Sequence, residues 1–553
     1  MPKIEVDRAD LLALAGLDGI SDEELGLRLA ILKGELDLRQ GDTLRIELKD
    51  TNRPDLWCVE GVARGLAALD GRRRRRLSGM PEARRELYAD ASVGGIRPWI
   101  AAFAASGPPL TPSAVEALIA GQEKLASSFG RNRRTAAIGF YRLSDIEFPV
   151  RYSAVDPGTS FHPLGEASLM TLSEVLERTE VGRRYAALLA GCDAYPFLTD
   201  AVGRPLSFPP VVNSESTGRV REGDTDLFCE VTGTDWGTVG LTCVILACNL
   251  EDRGFDIEPV EIVFHGPAPG ERARIATPVR RLDRLAIDRE GIRRILGTVP
   301  PDDGIESALR RMDYDSWKVE SGRVEAELPP YRRDGLHPVD LVEDIADAIG
   351  LESFEPLMPS AFTIGAAAPV EDLCDALRTA MIGMGFEEIM LPVLTSRSRP
   401  GLAPSGGPAL IANPMTLEFG AVRNSLIPGL LAVEEQSGRA PYPHRLFETG
   451  EVLLVEPGGA AATRVLIAAA VFGNEAAFGD AHSVLAAICA SRGLEARLEP
   501  GSDPRFIEGR CARVMVSGRH AGVVGELSPA LLHEARVSRP GSAFELDAET
   551  LAG

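Results

Sequence analysis

The chain has 553 residues, of which 44% are hydrophobic and 25% charged, and it carries a formal net charge of −22. That length holds three to five domains of ordinary globular composition. The acidic balance argues against non-specific nucleic-acid binding by the whole surface, while leaving room for a local basic patch. No apolar run reaches the ~18 residues needed to cross a bilayer, and the opening MPKIEVDRADLLALAG lacks the apolar core of a secretory signal.

Residues 1–70 predict a small α/β unit. KIEVDR is strand-like, ADLLALAG and SDEELGLRLAILKG are short helices, and DTLRIELKD alternates as a strand does. In TNRPDLWCVEGVARGLAALDG, Asp55 is the expected N-cap of a helix that turns Leu56, Val59, Val62, Ala63 and Leu66 inward. Asn52, Arg53 and Asp55 crowd the loop before it, as in a capped turn. The run Arg72–Arg76 reads as a solvated linker, with contact to a phosphate backbone as the alternative.

Residues 90–265 form a long mixed segment. VGGIRPWIAAFAASG predicts a strand and turn. TPSAVEALIAGQEKLASSFGRNRRTAAIGFYRL predicts a helix, a basic turn at Arg131–Arg134 and a strand. The consecutive prolines Pro209 and Pro210 are expected to hold an extended backbone leading into Asn213, Ser214 and Glu215. DLFCEVTGTDWG predicts a strand ending in Thr232, Gly233, Thr234 and Asp235, followed by an apolar helix over 239–250. The NSES and TGTD loops can line a pocket of hydroxyls and carboxylates that orients a water or recognises a hydroxyl. Ser, Thr, Asn and Asp are also the default turn and cap residues at strand ends.

Residues 268–357 begin with PGERARIATPVRRLDRLAIDREGIRRILGTV, which predicts a strand, a helix and a second helix EGIRRILG; a third helix at IESALRRMDYDSW and a KVESGRVEAEL hairpin follow. Helices plus a hairpin in this span suggest a small winged-helix-like fold, and its arginines allow a nucleic-acid contact. The segment closes with PYRRDGLHPVDLVEDIADAIG, a helix that starts at Pro338 and stops at Gly350. Residues three and four apart share a helical face, so Asp340, Glu343 and Asp344 project together and Asp334 reaches them from the preceding turn. Clustered carboxylates repel one another unless a positive guest sits among them. Mg²⁺, which wants hard oxygen ligands, is one reading; a solvated acidic face near a helix N-terminus is the other.

Residues 360–553 predict antiparallel sheet flanked by helices. HRLFETGEVLLV reads as a strand pair turning at Glu448 and Gly450, and CARVMVSGRHAGVVGELSP as two strands joined at SGR. There is no GxxxxGK[ST] and no GxGxxG at a strand–helix turn, so neither nucleotide loop applies. The eight cysteines are scattered without a CxxC pair. They indicate neither zinc nor a disulfide framework and read as buried free thiols of a reducing cytoplasm.

In their order these segments resemble the β subunit of phenylalanyl-tRNA synthetase in its archaeal/eukaryotic form. KDTNRPDLWCVEGVARGLA, GRNRRTAAIGFY, PPVVNSESTGRV, CEVTGTD, PPYRRDGLHPVDLVEDIADAIG, ANPMTLEFGAVRNSLIPGLL, HRLFETGEV and GRCARVMVSGRHAGVVGELSP carry the resemblance along nearly the whole chain. It implies a multidomain α+β protein: an N-terminal α/β domain (1–80), a mixed B3/B4-like editing domain (81–265), a winged-helix-like B5 domain (268–357) and a class II synthetase-like antiparallel-sheet module without working active-site residues (360–553). It implies an α2β2 heterotetramer in the cytoplasm, in which the α subunit binds most of the ATP and charges tRNA(Phe) with phenylalanine. The β subunit hydrolyses tyrosine mischarged on that tRNA. Carried over by position, Mg²⁺ falls on Asp334, Asp340, Glu343 and Asp344. The editing pocket falls between NSES and TGTD, with Ser214, Glu215, Thr234 and Asp235 lining it and Asn213 and Thr232 in support. Two positions depart from the family pattern: Ala126-Ser127 stand where a Leu-His pair is expected, and Asn424 stands for a threonine. A stand-alone deacylase and a non-catalytic tRNA-binding scaffold are the alternative readings.

Overall fold

A computed structural model describes residues 2–72, 76–320, 322–359, 363–404, 406–456 and 458–552. The chain divides into two compact units, Met1–Leu357 and Met358–Gly553.

The first unit opens with a three-stranded antiparallel sheet, ordered Lys3–Asp7, Thr43–Leu48, Gly34–Gln40, with helices Arg8–Ala15, Asp22–Ile31 and Val59–Leu69. Alternation buries Ile4 and Val6 on one strand and Leu44, Ile46 and Leu48 on the next, as a one-sided sheet requires. Gly34–Gln40 is mostly exposed, and periodicity does not announce it.

Asp55 does not cap the following helix, which starts after Cys58 without a side-chain cap. Its carboxylate instead accepts two hydrogen bonds from the Arg53 guanidinium, at 2.9 and 2.8 Å, in a buried pair. A charge in a dry site needs a partner more than a helix end needs a cap. The described ends of the arginine run are anchors rather than solvated linker. Arg72 donates to the carbonyls of Ala15 and Gly16 at a helix C-terminus. Arg76 is buried, donates to the Tyr314 carbonyl and pairs with Asp313. Arg73, Arg74 and Arg75 lie outside the described residues.

A ten-stranded mixed sheet follows. Its order is Val212–Asn213, Pro205–Phe208, Tyr195–Thr199, Val150–Val155, Arg85–Ala89, Asp256–Phe264, Trp99–Ser106, Asp226–Gly233, Ala137–Arg142, with Arg274–Thr277 paired to Asp256–Phe264. The helix Trp236–Asp252 is buried along most of its length, as befits one apolar nearly all round. It packs on Trp99–Ser106 and Asp226–Gly233. Pro209 and Pro210 do not extend a strand but form the turn between Pro205–Phe208 and Val212–Asn213. Proline has no N–H for a ladder, so a turn suits it. Arg274–Thr277 belongs to this sheet too, so the sheet runs past residue 265. The Thr277 hydroxyl bonds both the carbonyl and the N–H of Ala102, at 2.8 and 2.9 Å.

Strands Arg284–Asp288, Arg323–Glu327 and Ser316–Val319 make a small antiparallel sheet beside helices Arg289–Leu296, Asp302–Arg311 and Pro338–Ile349. Ahead of EGIRRILG, where a first helix is expected, the chain forms the strand Arg284–Asp288, whose pairing with Arg323–Glu327 overrides local propensity.

The second unit is a seven-stranded sheet, ordered Glu387–Glu388, His444–Val455, Ala461–Phe472, Gly541–Asp547, Arg519–Leu527, Phe506–Val516, Ala496–Pro500. Helices Pro369–Gly383 and Phe478–Ser491 close a core on one face, and Ile427–Gln436 and Pro529–Glu534 a core on the other. HRLFETGEVLLV does not turn at Glu448 and Gly450. It is one strand, paired along its whole length with Ala461–Phe472. Gly450 is required for space: a Cβ there stands 2.4 Å from Arg423 Nη2. At the SGR turn, Ser517 and Gly518 take φ of 50° and 74°, the left-handed pair of a tight hairpin. Asn424 bonds both the N–H and the carbonyl of Ala403, each at 3.1 Å.

All eight cysteines are free and seven are buried. Among the described residues, no helix is long and apolar enough to cross a membrane.

Candidate functional site

The two edge strands of the ten-stranded sheet meet side by side. Asn213, on the edge strand Val212–Asn213, donates its amide to the Phe140 carbonyl of the opposite edge at 3.3 Å. The Tyr141 hydroxyl lies 3.4 Å from Asn213 Oδ1. A cavity of about 280 Å³ opens here, lined among others by Ile138, Ser207, Phe208, Asn213, Glu230 and Thr232. It sits near the small end of ligand pockets (about 300–1,000 Å³), with room for one aromatic amino acid rather than a nucleotide.

Glu230 is the charged member. Its neighbours across the sheet are Gly139 and Ala102, the small residues that leave room for a carboxylate. A Cβ on Gly139 stands 2.5 Å from Glu230 Oε1. The Tyr141 hydroxyl donates to Oε1 at 3.0 Å, while Oε2 has no hydrogen-bond partner. The Ser207 hydroxyl, close beside the Tyr141 phenol, likewise lacks a bond of good geometry. Burial pushes the Glu230 pKa from its ordinary 4.5 up to about 7, against the opposing pull of the Tyr141 hydrogen bond and the Arg97 charge. Burial pushes the Tyr141 phenol up as well, so it stays a proton donor. A buried carboxylate with one oxygen unsatisfied, its pKa near neutrality and set in a cavity, is a binding or acid–base candidate on physical grounds.

Arg97 supports the same wall. It is buried and donates to Thr232 Oγ1 at 3.0 Å, to the Thr232 carbonyl at 2.5 Å, and to the carbonyls of Arg133 and Arg134 at 2.9 and 3.0 Å. Burial lowers its pKa to about 10, so it remains a cation at neutral pH.

Of the sequence-predicted pocket residues, Asn213 and Thr232 line this cavity, and the other four are engaged in local structure outside its lining. The buried Ser214 hydroxyl bonds that of Ser216 at 2.9 Å. Glu215 accepts from the Gly165 N–H at 2.9 Å and from Arg219 at 3.0 Å; these bonds, the first above all, hold its carboxyl below the usual range. The Thr234 hydroxyl donates to the Arg134 carbonyl at 3.1 Å. Asp235 caps the helix Trp236–Asp252, accepting from the N–H and hydroxyl of Thr238 at 2.7 and 2.6 Å. Sequence reasoning missed Glu230, Tyr141 and Ser207. The available signal was a lone glutamate inside the apolar strand LFCEV, a residue type almost never buried without a reason.

The four carboxylates of the 330–350 stretch do not converge on a point. Asp334 accepts two bonds from Arg332, at 3.0 and 2.5 Å, and lies 3.8 Å from Arg53. Asp344 accepts from Arg332 and the Tyr314 hydroxyl, each at 2.8 Å. Asp340 caps its helix through the N–H groups of Leu336 and His337, both at 2.7 Å. Glu343 pairs with Lys33 at 2.6 Å. Burial works to raise the Asp334 pKa, but the guanidinium groups of Arg332 and Arg53 outweigh it and hold the carboxyl well below the usual range. Among the described residues, no three His, Cys, Asp or Glu side chains are placed to hold a metal ion. Mg²⁺ demands a near-octahedral set of free oxygens, and these residues do not fit it. The positive guests among the carboxylates are Arg332, Arg53 and Lys33.

Comparison with known proteins gives a consistent picture. Residues 285–351 match the tRNA synthetase B5 domain and residues 355–548 the phenylalanyl tRNA synthetase beta chain CLM domain. The phenylalanine-tRNA ligase beta subunit of Borrelia garinii is 33% identical over 100% of this chain and 99% of its own. That of Treponema pallidum is 36% identical over 95% and 89%, and that of Pyrococcus abyssi 33% over 99% and 99%. The crystal structure of an N-terminal fragment of the phenylalanyl-tRNA synthetase beta-subunit from Pyrococcus horikoshii, 33% identical, superposes with a TM-score of 0.58 over 63% of this chain and 99% of the fragment.

Proposed function

The chain belongs to the phenylalanine-tRNA ligase beta-subunit family, and from that premise we propose that its Glu230 cavity hydrolyses tyrosine mischarged on tRNA(Phe), while an α partner binds ATP and carries out charging. The need is physical. An apolar phenylalanine pocket rejects an added hydroxyl only by about a hundredfold, so a second site must remove what slips through.

The observation that carries the reading is the unpartnered Oε2 of Glu230 in a cavity of single-residue size. A tyrosyl phenol donates its proton in a hydrogen bond to that oxygen. A phenylalanyl ring leaves the carboxylate buried and unpaired, which costs the full desolvation penalty of the group. Tyr141 is the positioning residue: its hydroxyl fixes Oε1, so that the other oxygen is left for the substrate. The cavity lining contains no histidine, cysteine or lysine, and its other carboxylate, Glu123, is tied to Arg133. As the water oxygen bonds to the tyrosyl carbonyl carbon, its proton therefore passes through the free hydroxyl of the terminal ribose to the esterified ribose oxygen, which leaves as a hydroxyl when its bond to the acyl carbon breaks, with backbone groups orienting the water.

The second unit supports the partner half of the proposal. Met390, Met415 and Leu417 are 91%, 99% and 85% exposed, and Leu410 joins them in the same 387–419 stretch. Apolar surface of this kind marks a docking face, and we assign it to the α subunit. Glu448, on the strand His444–Val455, is buried against Arg423 of the 421–426 segment at 2.7 Å, so its charge is neutralised within the protein.

Co-expression with the α subunit of the same genome tests this directly. The expected product is a complex of two α and two β chains that charges tRNA(Phe). A β chain that stays apart from α yet deacylates Tyr-tRNA on its own supports the stand-alone hydrolase instead.

A further inference from the structure

The basic turn GRNRR lies against the Glu230 cavity and has no role so far. Arg131, Asn132 and Arg133 take φ of 49°, 53° and 63°, three successive non-glycine residues in the left-handed region, each strained by about 1 kcal/mol or more. The turn is nevertheless held from several sides. The N–H groups of Asn132 and Arg133 donate to the carbonyls of Ser127 and Ala126 at 2.9 and 2.8 Å. Buried Arg97 grips the carbonyls of Arg133 and Arg134 from below. Arg133 itself lines the cavity, donates to the Val211 carbonyl at 2.8 Å, pairs with Glu123 and stacks over Tyr185.

Two arginines of the turn are left over. Arg131 and Arg134 are exposed, and among the described residues neither side chain meets a carboxylate. What sets this pair apart from other exposed arginines is its place, on a turn whose middle residue Arg133 lines the cavity. A long acidic surface repels a polyanion, and an unneutralised cationic pair on a rigid turn beside the cavity is where a phosphate backbone gains contact.

We infer that the GRNRR turn is a phosphate clamp, in which Arg131 and Arg134 contact the backbone of the tRNA 3′ strand and steer its aminoacyl end into the Glu230 cavity. This rests on the cavity being the deacylation site. The bonds from Arg97 to the carbonyls of Arg133 and Arg134 tie the backbone of the turn to Thr232 on the cavity wall.

The test uses the complex with the α subunit and the variants Arg131→Gln, Arg134→Gln and their double, which keep side-chain bulk and remove charge. Hydrolysis of Tyr-tRNA(Phe) is measured across a salt series, beside hydrolysis of tyrosyl-adenosine, which lacks the phosphates. Each single change is expected to lower kcat/KM on Tyr-tRNA about 10-fold at low salt. The double is expected to flatten the log–log salt dependence by about 1.4, at ~0.7 for each single-strand phosphate contact. Hydrolysis of tyrosyl-adenosine stays as in the parent, and Arg131→Lys recovers most of the loss. Equal losses on both substrates, or an unchanged salt slope, overturn the clamp. If the parent complex hydrolyses neither substrate, the deacylation reading falls by itself; the salt slope of tRNA(Phe) binding, compared between the parent and the double variant, still decides the clamp.

Discussion

Glu230→Gln is expected to slow Tyr-tRNA(Phe) hydrolysis about 10- to 100-fold, since a hydrogen bond to a charged group contributes about 1.5–3 kcal/mol. The substitution keeps the shape of the side chain and its contact with Tyr141, and removes the charge of the carboxylate whose Oε2 has no partner. The pH profile separates this from a packing effect. In the parent, burial sets the Glu230 pKa at about 7, so kcat/KM on Tyr-tRNA rises as pH passes through neutrality and then levels. The variant lacks that inflection. Stability moves the other way. The folded pKa lies above the ordinary 4.5, so the native chain holds this proton more tightly than the unfolded one, and the parent loses stability as pH rises from about 4.5 toward 7. Glu230→Gln escapes that loss and is at least as stable as the parent above pH 7. Parallel pH–rate curves for the two proteins would sink the assignment.

Arg332→Met is expected to destabilise the Met1–Leu357 unit by about 3–5 kcal/mol, because it strands two buried carboxylates. Asp344 is 7% exposed and keeps only Tyr314, while Asp334 keeps only the longer contact with Arg53 at 3.8 Å. The chain has two compact units, so the reading is a shift in the unfolding transition of one of them rather than a single two-state value. Chelation supplies the contrast. If Arg332, Arg53 and Lys33 neutralise this cluster, removing divalent ions with EDTA leaves that transition where it was. A large shift on chelation together with a small effect of Arg332→Met contradicts the clamp of charges and restores a metal to these residues.

Much of the fold was legible in the sequence, because local pattern and tertiary role coincide there. Val59–Leu69, Trp236–Asp252 and Pro338–Ile349 are written in their apolar spacing, and the Ser517-Gly518 turn in its residues. The misreadings share one cause. Asp55, the Arg72–Arg76 run and HRLFETGEVLLV were each read from their neighbours in sequence, and their surroundings in the fold decide them. Lys33 reaches Glu343 across 310 residues, and Arg76 reaches Asp313 across 237. A sequence states which charges exist and not which of them meet. The candidate site shows the same limit. Residue type marked hydroxyls and carboxylates at two strand ends. Which of them enter the cavity depends on the edges of a ten-stranded sheet coming together, and that brought in Asn213 and Thr232 together with Glu230, a residue from the middle of a strand, in place of Ser214, Glu215, Thr234 and Asp235.

The most direct measurement is the deacylation of Tyr-tRNA(Phe) and Phe-tRNA(Phe) by the unmodified chain in complex with its α subunit, followed side by side. The predicted result is rapid loss of the tyrosyl ester, with the phenylalanyl ester decaying at least about a hundredfold more slowly, in line with a site that hydrogen-bonds the hydroxyl it selects. Equal decay of both esters at the uncatalysed rate would contradict a deacylating Glu230 cavity and leave the chain as a partner and tRNA-binding subunit only.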